Sequence, residues 1–150
     1  MVAKLRLYSG LILLVFVTGH LTNNILGLHS FEAMDAASEW TTHPWRTEVG
    51  MVLMIGAFLT HFFLVSWSLF RRQTMKMKTW EAVQNIFGLL IPVLLIGHFA
   101  GTKLLNKVMG LQNGYAFEML ALFEFAPEFG TVQFLLVLLV WSHGCIGLHT

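Results

Sequence analysis

The chain has 150 residues, of which 56% are hydrophobic and only 11% charged, where soluble globular proteins carry about a quarter charged residues. A net charge of +1, with nine Lys and Arg spread between loops, excludes an extended basic surface for nucleic acid. One cysteine, Cys145, excludes an intrachain disulfide or a cysteine-ligated iron–sulfur cluster within this chain, and as part of an apolar helix it is expected to be buried and inert.

Four charge-poor runs cover residues 7–28, 49–70, 82–102 and 129–150, each near the ~20 residues that a helix needs to cross a lipid bilayer. They predict an all-α membrane protein, a four-helix transmembrane bundle with short outer-surface helices. Lys4, Arg6, Arg71, Arg72, Lys76 and Lys78 flank one side, against Arg46, Lys103 and Lys107 on the other. The positive-inside rule therefore places the N-terminus in the cytoplasm. The first run is too long for a signal peptide and has no small-residue cleavage site.

Helix one is expected over residues 5–27, closing where Thr22, Asn23, Asn24 and Gly27 loosen the apolar pattern. The first outer loop holds Ser30 followed by Phe31 and Glu32, an N-cap with an acid in the first turn, so a short surface helix is expected over 31–40. Trp40 and Trp45 suit the headgroup region, and Pro44 marks the approach to helix two, residues 47–70. A short basic loop makes helices two and three antiparallel neighbours. Helix three is expected over 79–105, bent at Pro92. The second outer loop contains an apolar segment, 115–125, with Glu118 and Glu124, read as a helix capping the outer face. Helix four begins near Phe129 and is still apolar at Leu148, so the sequence reads as cut from a longer chain.

Each apolar run carries one histidine: His20, His61, His98 and His143. An ionisable side chain at membrane depth is costly and points to function. At ~1.5 Å rise per residue, His20 and His98 lie roughly 20 to 30 Å above the basic flank and His61 about 15 Å above it. His143, about four turns past Phe129 on a descending helix, falls with His61. The histidines thus sort into an outer pair, His20 with His98, and an inner pair, His61 with His143.

Glycines accompany them. Gly19 and Gly97 directly precede His20 and His98, Gly144 follows His143, and Gly10 and Gly88 each lie ten residues before a histidine at about the inner level. Gly50 lies eleven before His61, near the outer level, and Gly130 stands in a similar place on helix four. Glycine lets a bulky planar ligand approach a helix closely, although small residues also occur wherever membrane helices pack. The matched spacing suggests a duplicated two-helix unit, residues 5–72 and 79–150. With no carboxylate in any membrane core, a proton relay and a hard-cation site are disfavoured relative to a satisfied imidazole or axial ligation of haem iron. Two b-type haems, one in each half of the bilayer, are the cofactors this pattern predicts.

His29 and His43 in the first outer loop are expected to be solvated, with a ligand or proton-transfer role as the alternative. His149, six residues past His143, reads first as a surface residue, then as an alternative ligand or quinone contact. Arg6, Tyr8 and Ser9 lie at the cytoplasmic end of helix one, where a quinone site and a simple interfacial anchor fit equally well.

The runs Arg6-Leu7-Tyr8-Ser9-Gly10, Thr18-Gly19-His20-Leu21, Trp80-Glu81-Ala82-Val83-Gln84, and above all Trp141-Ser142-His143-Gly144-Cys145-Ile146-Gly147-Leu148-His149, carry a resemblance. They are similar to the cytochrome b-like membrane anchor of bacterial class III adenylate and guanylate cyclases. More distantly, the chain resembles the haem-bearing anchors of succinate dehydrogenase and fumarate reductase. The resemblance spans essentially the whole chain. It implies the bacterial inner membrane, a homodimer, and a cytoplasmic output domain in the same parent chain that receives redox state from quinol or an external donor. The cyclase family's longer anchor of about six helices and its catalytic domain have no counterpart before Thr150, so no catalytic residue is expected here and electron transfer is the most this chain performs. The alternatives are a quinone-linked anchor subunit of a respiratory oxidoreductase and a haem-free structural anchor.

Overall fold

The computed structural model describes residues 1–74, 76–101, 121–125 and 127–149, and over these the regular structure is all helical, with turns and loops between the helices. The elements are α1 (Val2–Leu26), α2 (Phe31–Thr41), α3 (His43–Arg46), α4 (Glu48–Phe70), α5 (Thr79–Phe99) and α6 (Pro127–His149), with a short π-helical turn, Ala121–Phe125, ahead of α6. Helices α1, α4, α5 and α6 are each long and apolar enough to cross a membrane. Their 21 to 25 residues correspond to about 32–38 Å, against a hydrocarbon core of about 30 Å. The chain is a multi-pass membrane protein by this measure. Residues 102–120, with Lys103, Lys107, Glu118 and the end expected for helix three, lie outside the described residues, and of the apolar segment 115–125 only the turn at Ala121–Phe125 is described.

The chain divides into two compact units, Met1–Lys76 and Met77–Thr150. In the first, α1 packs along α4, α2 lies on α1, and α3 on α4. In the second, α5 packs along α6 and the π turn lies on α6. The boundary falls in the basic loop, within a few residues of the limits that the glycine spacing suggests for a duplication.

The helix ends follow from their capping residues. Ser30 is extended and its Oγ accepts the Ala33 N–H at 3.1 Å, which opens α2. Glu32 follows in the first turn, its carboxyl held below the ordinary carboxylate range by its own backbone N–H and by the Ser30 hydroxyl. Thr47 does the same for α4, accepting the Gly50 N–H at 3.1 Å. At α5 the Glu81 carboxylate reaches back to accept the Lys78 N–H at 3.2 Å. Helix α5 runs on through Pro92, whose missing N–H removes one backbone bond without ending the helix. At its far end α1 tightens, the Gly27 and Leu28 N–H groups donating to Asn24 and Ile25.

Each unit pairs only two long helices, so most of each helix surface stays uncovered: Val49 is 80% exposed and Ile96 71%. Apolar surface on this scale suits lipid rather than water. For the same reason Cys145, expected to be buried, is exposed on α6. Aromatic and basic side chains meet near two helix ends. The Arg71 guanidinium lies 6.0 Å from the Trp67 ring and the Lys78 ammonium 5.7 Å from Trp80, an arrangement suited to the headgroup boundary.

Removing the α2 cap tests this local reading. Ser30→Ala should weaken the first turn of α2 by about 1 kcal/mol, seen as faster amide exchange at Ala33 and Met34 with α4 unchanged.

Candidate functional site

Within the first unit, His61 on α4 turns its ring against α1. The His61 Nδ1–H donates to the backbone carbonyl of Arg6 at 3.1 Å, and Ser9 Oγ stands 3.4 Å from the same nitrogen. Ser9 is buried and gives its own hydroxyl proton to the carbonyls of Leu5, at 2.8 Å, and Arg6, at 3.1 Å. A carbonyl inside a helix already accepts from the residue four further on, but it has a second lone pair. What usually hides that lone pair is the side chain one turn later, because Cα–Cβ bonds lean toward the helix N-terminus. Four residues after Arg6 is Gly10. A Cβ there would come within 3.0 Å of His61 Cε1 and 3.2 Å of Nδ1, so the missing side chain both uncovers the acceptor and seats the ring.

The second unit repeats this construction. The His143 Nδ1–H on α6 donates to the carbonyl of Gln84 at 3.0 Å, and four residues after Gln84 is Gly88. A Cβ at Gly88 would stand 2.8 Å from His143 Cε1 and 3.3 Å from Nδ1. A backbone carbonyl can only accept, so both rings carry a proton on Nδ1, and in the neutral form of such a ring the lone pair is on Nε2. This is the tautomer a metal-ligating imidazole needs, held as ligating histidines usually are by a bond from the other nitrogen.

The remaining two histidines are held by other means. His98 Nδ1 lies 2.9 Å from the Gln133 Oε1 on α6. His20 stacks on Phe16, ring centroids 5.7 Å apart, and Phe16 meets Trp45 edge-on. All four histidines are half-buried, whereas His29, His43 and His149 are exposed. Among the described residues no group of three or more His, Cys, Asp or Glu gathers as a metal cluster.

The glycines singled out from sequence have distinct neighbours. Gly10 and Gly88 receive imidazoles, as above. Gly19 faces the Thr41 carbonyl, where a Cβ would lie 3.1 Å from the oxygen, and Gly50 presses on the Pro44 carbonyl. Gly130 stands in the same relation to the Leu122 carbonyl, at 2.6 Å. No described atom lies within 4 Å of a Cβ built on Gly97, and Gly144 is half-buried on α6. Of the residues at the start of α1, the Arg6 carbonyl and Ser9 are engaged with His61, while Tyr8 is 58% exposed.

Sequence reasoning missed Gln84 and Gln133 as partners. Gln133 left a signal, a carboxamide inside an otherwise apolar stretch. Gln84 acts through its backbone, which leaves none. Comparison with family models, curated proteins and solved structures gives no match to this chain.

Replacing Gly88 tests the seat. Gly88→Ala should lower thermal stability in detergent by about 1–3 kcal/mol through overpacking on His143. Gly56→Ala, where no described atom lies within 4 Å, should be neutral or gain up to about 1 kcal/mol.

Proposed function

We propose that this chain is a membrane-embedded b-type cytochrome domain that senses or relays redox state across a bacterial inner membrane to a cytoplasmic output domain, as the resemblance to cyclase anchors suggests. The observation that carries the reading is the doubled construction at His61 and His143. Two helices in two separate units each carry a glycine, Gly10 and Gly88, where a backbone carbonyl one turn earlier accepts the Nδ1–H of a histidine from the neighbouring helix, the way ligating imidazoles are commonly oriented.

His20, His61, His98 and His143 would be the residues that hold haem iron. Haem iron so held would supply one-electron exchange. The chain's own part is to hold each imidazole in its ligating tautomer and to surround it with apolar helix, so that water and competing ligands are kept away. The Arg6 and Gln84 carbonyls share the Nδ1 protons of the inner histidines, which raises the donor strength of Nε2. Ser9 adds a second oxygen on the His61 side alone. Because Ser9 and the Arg6 carbonyl are engaged with His61, the observations favour redox relay over a quinone pocket at that end of α1. The charge distribution supports a cytoplasmic N-terminus.

Two measurements test this. Protein expressed with ample haem should show a reduced b-type absorption spectrum, and a colourless product would sink the proposal. His143→Ala and His98→Ala should each remove one of two haem signals. For the topology, a protease-sensitive tag before Met1 should survive external protease in intact spheroplasts and be cut after lysis.

A further inference from the structure

We propose that Gln133 is the positioning residue for His98, its carboxamide oxygen fixing the imidazole tautomer and ring angle that the inner histidines take from backbone carbonyls. This rests on the haem reading above and extends it to a residue not drawn from any motif. The bond is short, 2.9 Å from His98 Nδ1 to Gln133 Oε1, and joins two helices that pack along each other, α5 and α6. Both side chains are half-buried. A carboxamide in the apolar part of a membrane helix is costly unless it is bonded, so its presence opposite a histidine calls for a reason.

The comparison with His61 and His143 supplies one. There, glycine one turn further on uncovers a helix carbonyl. On α6 the residue four beyond Gln133 is Val137 rather than a glycine, so the sequence does not repeat there the spacing that pairs Gly10 with Arg6 and Gly88 with Gln84. Opposite His98 it is a side chain, Gln133, that brings the acceptor. Glutamine carries an oxygen on an arm long enough to reach across. The amide also has an NH2 end, and only the oxygen end suits a ligand: an N–H donated to Nδ1 would force the imidazole proton onto Nε2 and block ligation. The outer site thus depends on a replaceable side chain where the inner one depends on backbone.

The test is haemin titration of the full chain in nanodiscs, with midpoint potentials of each haem, for wild type, Gln133→Leu, Gln133→Asn and Gln133→Glu, with His98→Ala marking the outer site. Leu removes the acceptor, and Asn keeps the polarity but shortens the arm. Both should weaken the outer haem by about 10–100-fold and leave the inner haem at its wild-type affinity and potential. Glu should restore outer-haem affinity, and where ionised it should move that potential to lower values by drawing the Nδ1 proton from His98. Unchanged outer-haem affinity and potential in Leu and Asn, or a Glu variant as weak as Leu, would overturn the role of Gln133 while leaving the haem reading in place. A wild type that takes up no haem would overturn both.

Discussion

An imidazole in the apolar part of a membrane must place its N–H somewhere, and the rest of this molecule is built around the answer. Water is not at hand there, and an unmet donor costs several kcal/mol. Helical backbone is the most abundant source of acceptors, but its carbonyls are committed along the helix and shielded by side chains. Removing one Cβ, at Gly10 in α1 and at Gly88 in α5, opens a lone pair at Arg6 and at Gln84 to the histidine of the neighbouring helix. The same absence lets the ring lie against the helix.

This constraint orders the packing as well as the polar contact. In lipid there is little hydrophobic drive between helices, so their association rests on close van der Waals fit and on bonds that lipid cannot supply. The contact between α1 and α4 includes one such bond at His61, and that between α5 and α6 includes two, at His143 and His98. Glycines nearer the other ends of α4 and α6 let the chain that precedes each helix fold back on it, Pro44 against Gly50 and Leu122 against Gly130. Each unit is thus held by a glycine at two levels, and the recurrence of both levels in two units fits an ancestral two-helix hairpin.

The differences between the units matter to the proposed redox role. His61 has Ser9 beside its donated proton and His143 has no hydroxyl at the matching place, because the residue before Gly88 is Phe87. His98 bonds a side-chain oxygen where His61 and His143 bond backbone, and His20 lies on an aromatic stack. Acceptor strength tunes ligand basicity, and so the electron affinity of a bound metal. Four histidines with four settings would not be equivalent as ligands, which suits a relay with direction.

The sequence by itself determined the spans and the cap of α2. Apolar length is a local property that lipid alone demands, and Ser30 caps the helix that follows it whatever packs nearby. It also showed that Gly10 and Gly88 stand in matched places, and left open what they face. Only the tertiary structure decided that, because an acceptor supplied by backbone has no residue type to announce it: Arg6 and Gln84 are unlike in side chain and alike in role. It likewise brought Gln133 opposite His98, a meeting set by how α5 and α6 align rather than by either stretch alone. Cys145 was misjudged as buried for the same reason, since exposure on a uniformly apolar helix is settled by which neighbour covers which side.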